Sequence, residues 1–162
     1  MNEIDKIYNL LEKKICDFSY PKTPELLYAP IKYIMGLRAK RIRPLFLLIS
    51  YNLYKSDLSN VISPALGIEF FHNFTLLHDD IMDNAPLRRG SSTVHKKWDK
   101  NIAILSGDAM MIQAYKLISQ VDSHYLEKVL DVFSKTANQV CEGQQFDMDF
   151  ENSNEVTLSE YI

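Results

Sequence analysis

Apolar residues recur at helical spacing through most of the chain. Residues 3–18, with Ile4, Ile7, Leu10, Leu11 and Ile15 on one stripe, predict a first amphipathic helix. Pro21 and Pro24 interrupt the pattern. A short helix follows from Thr23 or Pro24 to Met35, with Gly36 as its stop. The stretch Leu37-Arg38-Ala39-Lys40-Arg41-Ile42-Arg43-Pro44 leads into the apolar run Leu45 to Tyr54, where Pro44 fits a first helical turn. A long apolar helix spans roughly Asn60 to Asp83, with Pro64 tolerated near its start. Pro86 ends it. A basic loop, Arg88 to Lys97, then leads to a helix from Asp99 or Asn101 to about Gln120, whose Ala103, Ser106, Gly107 and Ala109 permit close packing on a neighbour. The last helix starts after Asp122 or Ser123. Its stripe of Leu126, Val129, Leu130, Phe133, Ala137, Val140 and Cys141 turns polar at Gln144 and Asp147 without losing phase. That end either enters a polar cavity or frays in solvent. The expected fold is all-α.

The long central helix ends in Asp79-Asp80-Ile81-Met82-Asp83, with Arg88-Arg89-Gly90 close behind. On a helix, Asp79 and Asp83 lie one turn apart and project side by side. His72 falls about 20° from Asp79 on the wheel, and Asp83 about 40° on its other side, so the three share a face. Neighbouring carboxylates repel, and acids near a helix C-terminus oppose the macrodipole. Both costs are relieved by a cation. Oxygen-only ligands on one face suit Mg²⁺, which takes one or two carboxylates and completes its shell with water and phosphate. The plainer reading, solvated acids at a helix end, does not explain the unfavourable position.

Composition sharpens this in one respect. The arginines are Arg38, Arg41, Arg43, Arg88 and Arg89, confined to two short stretches, while thirteen lysines are scattered. Arginine suits bidentate phosphate contacts, so the confinement points to two halves of one anion site. Lys40 and Arg43 would stand just ahead of a helix N-terminus, whose free N–H groups also favour anions. With 162 residues, 46% of them hydrophobic, the chain suffices for one domain with a real core. A net charge of −3 gives no sign of nucleic acid or of a charged membrane surface as partner. No signal-peptide pattern and no bilayer-length apolar run occurs. Cys16 and Cys141 are in no metal-ligand spacing and read as reduced, buried thiols of a cytoplasmic protein.

Taken together, Lys40-Arg41-Ile42-Arg43-Pro44, Phe71-His72, Asp79-Asp80-Ile81-Met82-Asp83, Arg88-Arg89-Gly90, Thr93-Val94-His95, Gly107-Asp108 and Gly143-Gln144-Gln145-Phe146-Asp147 resemble the trans-isoprenyl diphosphate synthases, the polyprenyl synthetases. The likeness runs from about residue 20 to the end. It departs at Ala39, where the family usually has glycine. The resemblance implies an isoprenoid synthase-type helical bundle and a prenyltransferase joining isopentenyl diphosphate to an allylic diphosphate. It implies Mg²⁺ on Asp79 and Asp83, with Arg88 on the allylic diphosphate. Lys40, Arg43, His72 and Arg89 would hold the diphosphate of isopentenyl diphosphate, and Gln144 and Asp147 would line the allylic pocket. Phe74, a bulky residue five positions before the first acid, would restrict the product slot to short chains of about C15–C20.

The family is longer than this chain, and it carries a second Asp-rich motif and a Lys-Thr pair that are not among these residues. Thr157-Leu158-Ser159-Glu160 reads as a capping box announcing a further helix, with only Tyr161 and Ile162 after it. Residues 1–162 are therefore expected to be the N-terminal part of a single polyprenyl synthetase domain, truncated to its first helices. A homodimer, or pairing with a complementing synthase half, follows by resemblance. Two other readings stay open: a non-catalytic subunit that pairs with a complete synthase, and a fragment of a terpene cyclase. Lys40, Arg43 and Arg89 argue against the cyclase, which has no second diphosphate to hold.

Overall fold

The computed structural model describes residues 2–151, 153 and 155–161, which divide into two compact units, 1–122 and 123–162. The first unit holds α1 (Glu3–Cys16), α2 (Glu25–Gly36), α3 (Ile42–Asn52), α4 (Ser59–Met82), a two-stranded hairpin of β1 (Leu87–Arg88) and β2 (Ser91–Ser92), α5 (Val94–Lys97) and α6 (Lys100–Ile118). The second holds α7 (Ser123–Glu151) and the single turn α8 (Leu158–Tyr161). Among the described residues the fold is all-α apart from the hairpin. The side chain of Glu160 and residue Ile162, part of the expected C-terminal helix start, lie outside the described residues.

α1 starts at a capping box in which Asn2 and Asp5 exchange side-chain and backbone bonds, and it buries Ile7, Leu11 and Ile15. α4 is the axis of the first unit and packs chiefly on α6 and α3. Its approach to α6 depends on absent side chains. A Cβ on Gly67 would lie 2.7 Å from Ile118 Cγ1 and 3.0 Å from the Ala114 carbonyl oxygen, and one on Gly107 would strike the His78 ring. The small residues expected on α6 are mostly turned inward, with Ala103, Ser106 and Gly107 buried.

Helix ends follow local chemistry more than the prolines suggest. α4 stops at Asn84, not at Pro86. Asn84 takes a left-handed conformation (φ 50°), its N–H donates to the Ile81 carbonyl, and the Ala85 N–H donates to that of Asp80. This is a Schellman arrangement, with asparagine where glycine is commoner. Gly36 is the last helical residue of α2, and the extended Leu37 ends that helix. The two cysteines are free, as expected, but exposed, which corrects the expectation of burial. Cys16 follows the buried Ile15 and points to the opposite side of α1, and Cys141 lies beyond Ala137 where the α7 stripe is uncovered. No helix among the described residues is long and apolar enough to cross a membrane.

Candidate diphosphate and metal site

α4 is helical without a break, and Asp83, its cap, keeps right-handed dihedrals (φ −76°, ψ −5°). His72, Asp79 and Asp83 therefore project from one side. His72 and Asp79 are about 10 Å apart along the axis. Opposite charges gather at these two levels.

The basic level is an open cavity of about 390 Å³ lined by Arg38, Lys40, Arg43, Glu69, His72 and Arg89 among others. α3 begins at Ile42, so Arg43 lies within its first turn, and only Lys40 precedes the helix. Arg43 Nη1 stands 3.4 Å from His72 Nε2. Burial, and then the Arg43 charge, press the His72 imidazole down to about 4. At neutral pH it is an uncharged hydrogen-bonding group amid cations. Arg89 (φ 54°) and Gly90 (φ 78°) form the turn between Arg88 and its partner Ser91. Two left-handed residues in a two-residue hairpin make a type I′ turn, which costs a non-glycine residue about 1 kcal/mol. The turn brings Arg89 Nη1 to 3.4 Å from Asn73 Oδ1 on α4.

The acidic level is the end of α4. Asp80 is buried and accepts from Arg88 Nε at 2.8 Å and from Nη2, while Nη2 also reaches Asp79 Oδ2 at 3.2 Å. The bond it donates to Asp80 is the main reason the Arg88 guanidinium is held firmly charged. Asp79 is half-buried and Asp83 exposed. Partial burial, and next the charge of Asp83, raise the Asp79 carboxyl above the usual aspartate range against the pull of Arg88. Among the described residues no group of three or more His, Cys, Asp or Glu side chains could hold a metal unaided. The Asp79–Asp83 pair nonetheless fits Mg²⁺, which needs only one or two carboxylates when water and phosphate complete the shell.

Lys40, Arg43, His72 and Arg89 thus share one cavity, and Asp79, Asp83 and Arg88 meet at the other level. Gln144, half-buried, and Asp147, exposed, lie on α7 in the second unit. The Phe74 ring lies 4.8 Å from His78 and 5.8 Å from Phe71 by centroids, on the side of α4 where His78 reaches the Ile104 carbonyl of α6.

Arg41 departs from its expected place. It is no part of an exposed anion cradle. Its guanidinium is buried, with Nε 2.8 Å from Glu12, Nη1 2.7 Å from Glu69, and Nη2 bonded to the carbonyls of Met35 (2.7 Å) and Leu37 (3.0 Å). With so many donors committed, it anchors the basic stretch rather than binding a ligand. Glu12, Glu69, Asn73 and Asp80 were not singled out as supporting residues. The sequence signal was three polar residues, Glu69, Asn73 and Asp80, within an apolar helix, where burial requires partners.

The polyprenyl synthetase family pattern matches residues 24–162. A geranylgeranyl diphosphate synthase of Methanosarcina mazei is 43% identical over 141 residues, covering 86% of this chain and 44% of the relative. A crystal structure of a geranylgeranyl pyrophosphate synthase superposes with a TM-score of 0.94 at 46% identity, covering 99% of this chain and 49% of that one. Another, from Pyrococcus horikoshii, gives 0.89 at 37% identity, with 98% and 49% covered. The chain spans about half the length of these relatives. On the match over most of its residues and the shared helical architecture, the chain belongs to the polyprenyl synthetase family.

Proposed function

We propose that the chain carries the first Asp-rich motif and the isopentenyl diphosphate site of a cytoplasmic prenyltransferase. The reaction joins isopentenyl diphosphate to an allylic diphosphate. The observation that carries this reading is the pair of charged levels on one face of α4, about 10 Å apart, one for each diphosphate.

The allylic C–O bond breaks and diphosphate leaves with the electron pair. Arg88, kept cationic and aimed by Asp80, stabilises that charge in a preorganised site. Asp79 and Asp83 would hold Mg²⁺, which would add positive charge for the same leaving group. Lys40, Arg43 and Arg89 grip the second diphosphate, with His72 as a hydrogen-bonding partner beside them. This fixes the homoallylic double bond for attack on the allylic cation. Loss of a proton to the released diphosphate regenerates a double bond. By resemblance to the family, Gln144 and Asp147 are assigned to the allylic substrate, and Phe74 to limiting the product to a short chain of about C15–C20.

The second reading, a non-catalytic subunit that pairs with a complete synthase, draws on Leu105 (60% exposed) and Ile112 (63% exposed), two turns apart on α6. A homodimer would use the same kind of surface. The test is condensation of isopentenyl with dimethylallyl or geranyl diphosphate in excess Mg²⁺, with the chain alone and with a C-terminal half of a related synthase. Turnover is expected only in the mixture, with longer products for Phe74→Ala. No turnover in a mixture whose C-terminal half is activated by a relative's N-terminal half overturns the catalytic reading.

A further inference from the structure

Among the described residues, two of the three non-glycine residues with left-handed backbone are Arg41 (φ 49°) and Arg89 (φ 54°). They lie far apart in sequence, yet a single chain of polar contacts, buried up to its Arg89 end, joins them through α4. Arg41 Nη1 donates to Glu69 Oε1 at 2.7 Å. The same oxygen accepts from Asn73 Nδ2 at 2.8 Å, and Asn73 Oδ1 faces Arg89 Nη1 at 3.4 Å. Arg41, Glu69 and Asn73 are 3%, 1% and 0% exposed. Few cores hold a cation, an anion and an amide in contact without solvent unless each is partnered.

The chemistry of the chain is directional. A carboxylate only accepts, so Glu69 obliges Asn73 to turn its NH₂ group inward, an orientation reinforced by the Glu69 carbonyl, which accepts from the same nitrogen at 2.8 Å. The Asn73 carbonyl oxygen must then point out, where only a donor can meet it. Arg89 is that donor, at the tip of the hairpin and on the wall of the basic cavity. The other end of the chain fixes the opposite wall. Arg41 is the residue between Lys40 and the first turn of α3, and its bonds to Glu12, Met35 and Leu37 hold the backbone on which Lys40 and Arg43 sit.

We propose that Asn73 is a positioning residue for Arg89, held in a single amide orientation by Glu69 and Arg41, so that both walls of the cavity are set from one buried relay. This rests on the reading of that cavity as the isopentenyl diphosphate site. The neutral amide suits its place. A carboxylate there would repel both Glu69 and the arriving diphosphate, and an apolar side chain would leave the strained hairpin tip untethered.

The test is calorimetric binding of isopentenyl diphosphate to the chain, to Asn73→Leu, to Arg89→Ala and to the double variant. Leucine keeps the branched skeleton of asparagine without its hydrogen-bonding atoms, and the smaller Asn73→Ala serves if it does not fold. We expect about fivefold weaker binding for Asn73→Leu, the worth of one lost hydrogen bond, and a loss of tenfold or more for Arg89→Ala. In the Arg89→Ala background the second substitution should add nothing. The ¹⁵N resonance of the Arg89 guanidinium should also shift in Asn73→Leu, which a merely structural role would not require. Unchanged binding in Arg89→Ala overturns the site itself. Weakened binding in Arg89→Ala with no effect of Asn73→Leu, or with fully additive effects, overturns the relay alone.

Discussion

Of the 24 residues of α4 nine are buried, and three of those are Glu69, Asn73 and Asp80, whereas of the 29 residues of α7 only Ala137 is buried. Both helices show an apolar stripe that ends in polar residues. On α4 neighbours cover the stripe, and each buried polar group has a partner: Glu69 with Arg41, Asn73 with Glu69, Asp80 with Arg88. On α7 the stripe ends in Val140, 40% exposed, and the exposed Cys141, and Gln145 bonds along its own helix to Asp149. Periodicity announces a helix in both cases. What covers the helix is announced only by polar residues that cannot be buried alone, and those lie on α4.

The comparison breaks most sharply at Arg41. Arg41→Ala takes the cation away from the buried Glu69, leaving it only the Asn73 amide, and a loss of about 3–5 kcal/mol is expected in urea unfolding. A loss below about 1 kcal/mol would mean that the relay does not hold α4 to the basic stretch.

A smaller effect is expected at His72. Its folded value of about 4 lies below the ordinary 6.5, so the unfolded chain takes up a proton first as pH falls. Stability should be unaffected by this group above pH 6.5 and decline between there and about 4. His72→Gln should flatten that decline. A decline of equal depth in the variant would assign it to other groups.

The smallest effect belongs to α7. Val132→Ser, on the exposed side of α7, should change the unfolding free energy by less than about 0.5 kcal/mol. A loss of 2 kcal/mol or more would mean that this side is covered in solution.

The long helices were legible, as were the tolerated Pro44 and Pro64, because apolar spacing and proline chemistry act locally; the one-turn α5, Val94–Lys97, lies in what reads as a basic loop. So was the pairing of Asp79 with Asp83, which needs only a helix. The hairpin at Leu87–Ser92 was not, since two-residue strands carry no alternation and Arg89-Gly90 is an uncommon pair for a type I′ turn. The end of α4 was assigned to Pro86 because proline is the louder signal, yet Asn84 had already turned the chain. Arg41 was grouped with its basic neighbours because sequence shows charge and not direction. Only the fold reveals that its guanidinium turns inward to Glu12 and Glu69 while Lys40 and Arg43 face out.

The central claim, that Asp79 and Asp83 together present a cation to a diphosphate, is tested most directly by calorimetric titration of a non-reactive allylic diphosphate analogue with and without Mg²⁺. Asp79→Asn and Asp83→Asn should each weaken the Mg²⁺-dependent binding by about tenfold or more. Because the Asp79 carboxyl is raised above the usual range, affinity in the unaltered chain should climb as pH rises through it, at a lower pH once Asp83→Asn removes the neighbouring charge. Mg²⁺-dependent binding that is the same in the unaltered chain and in both variants would contradict the account.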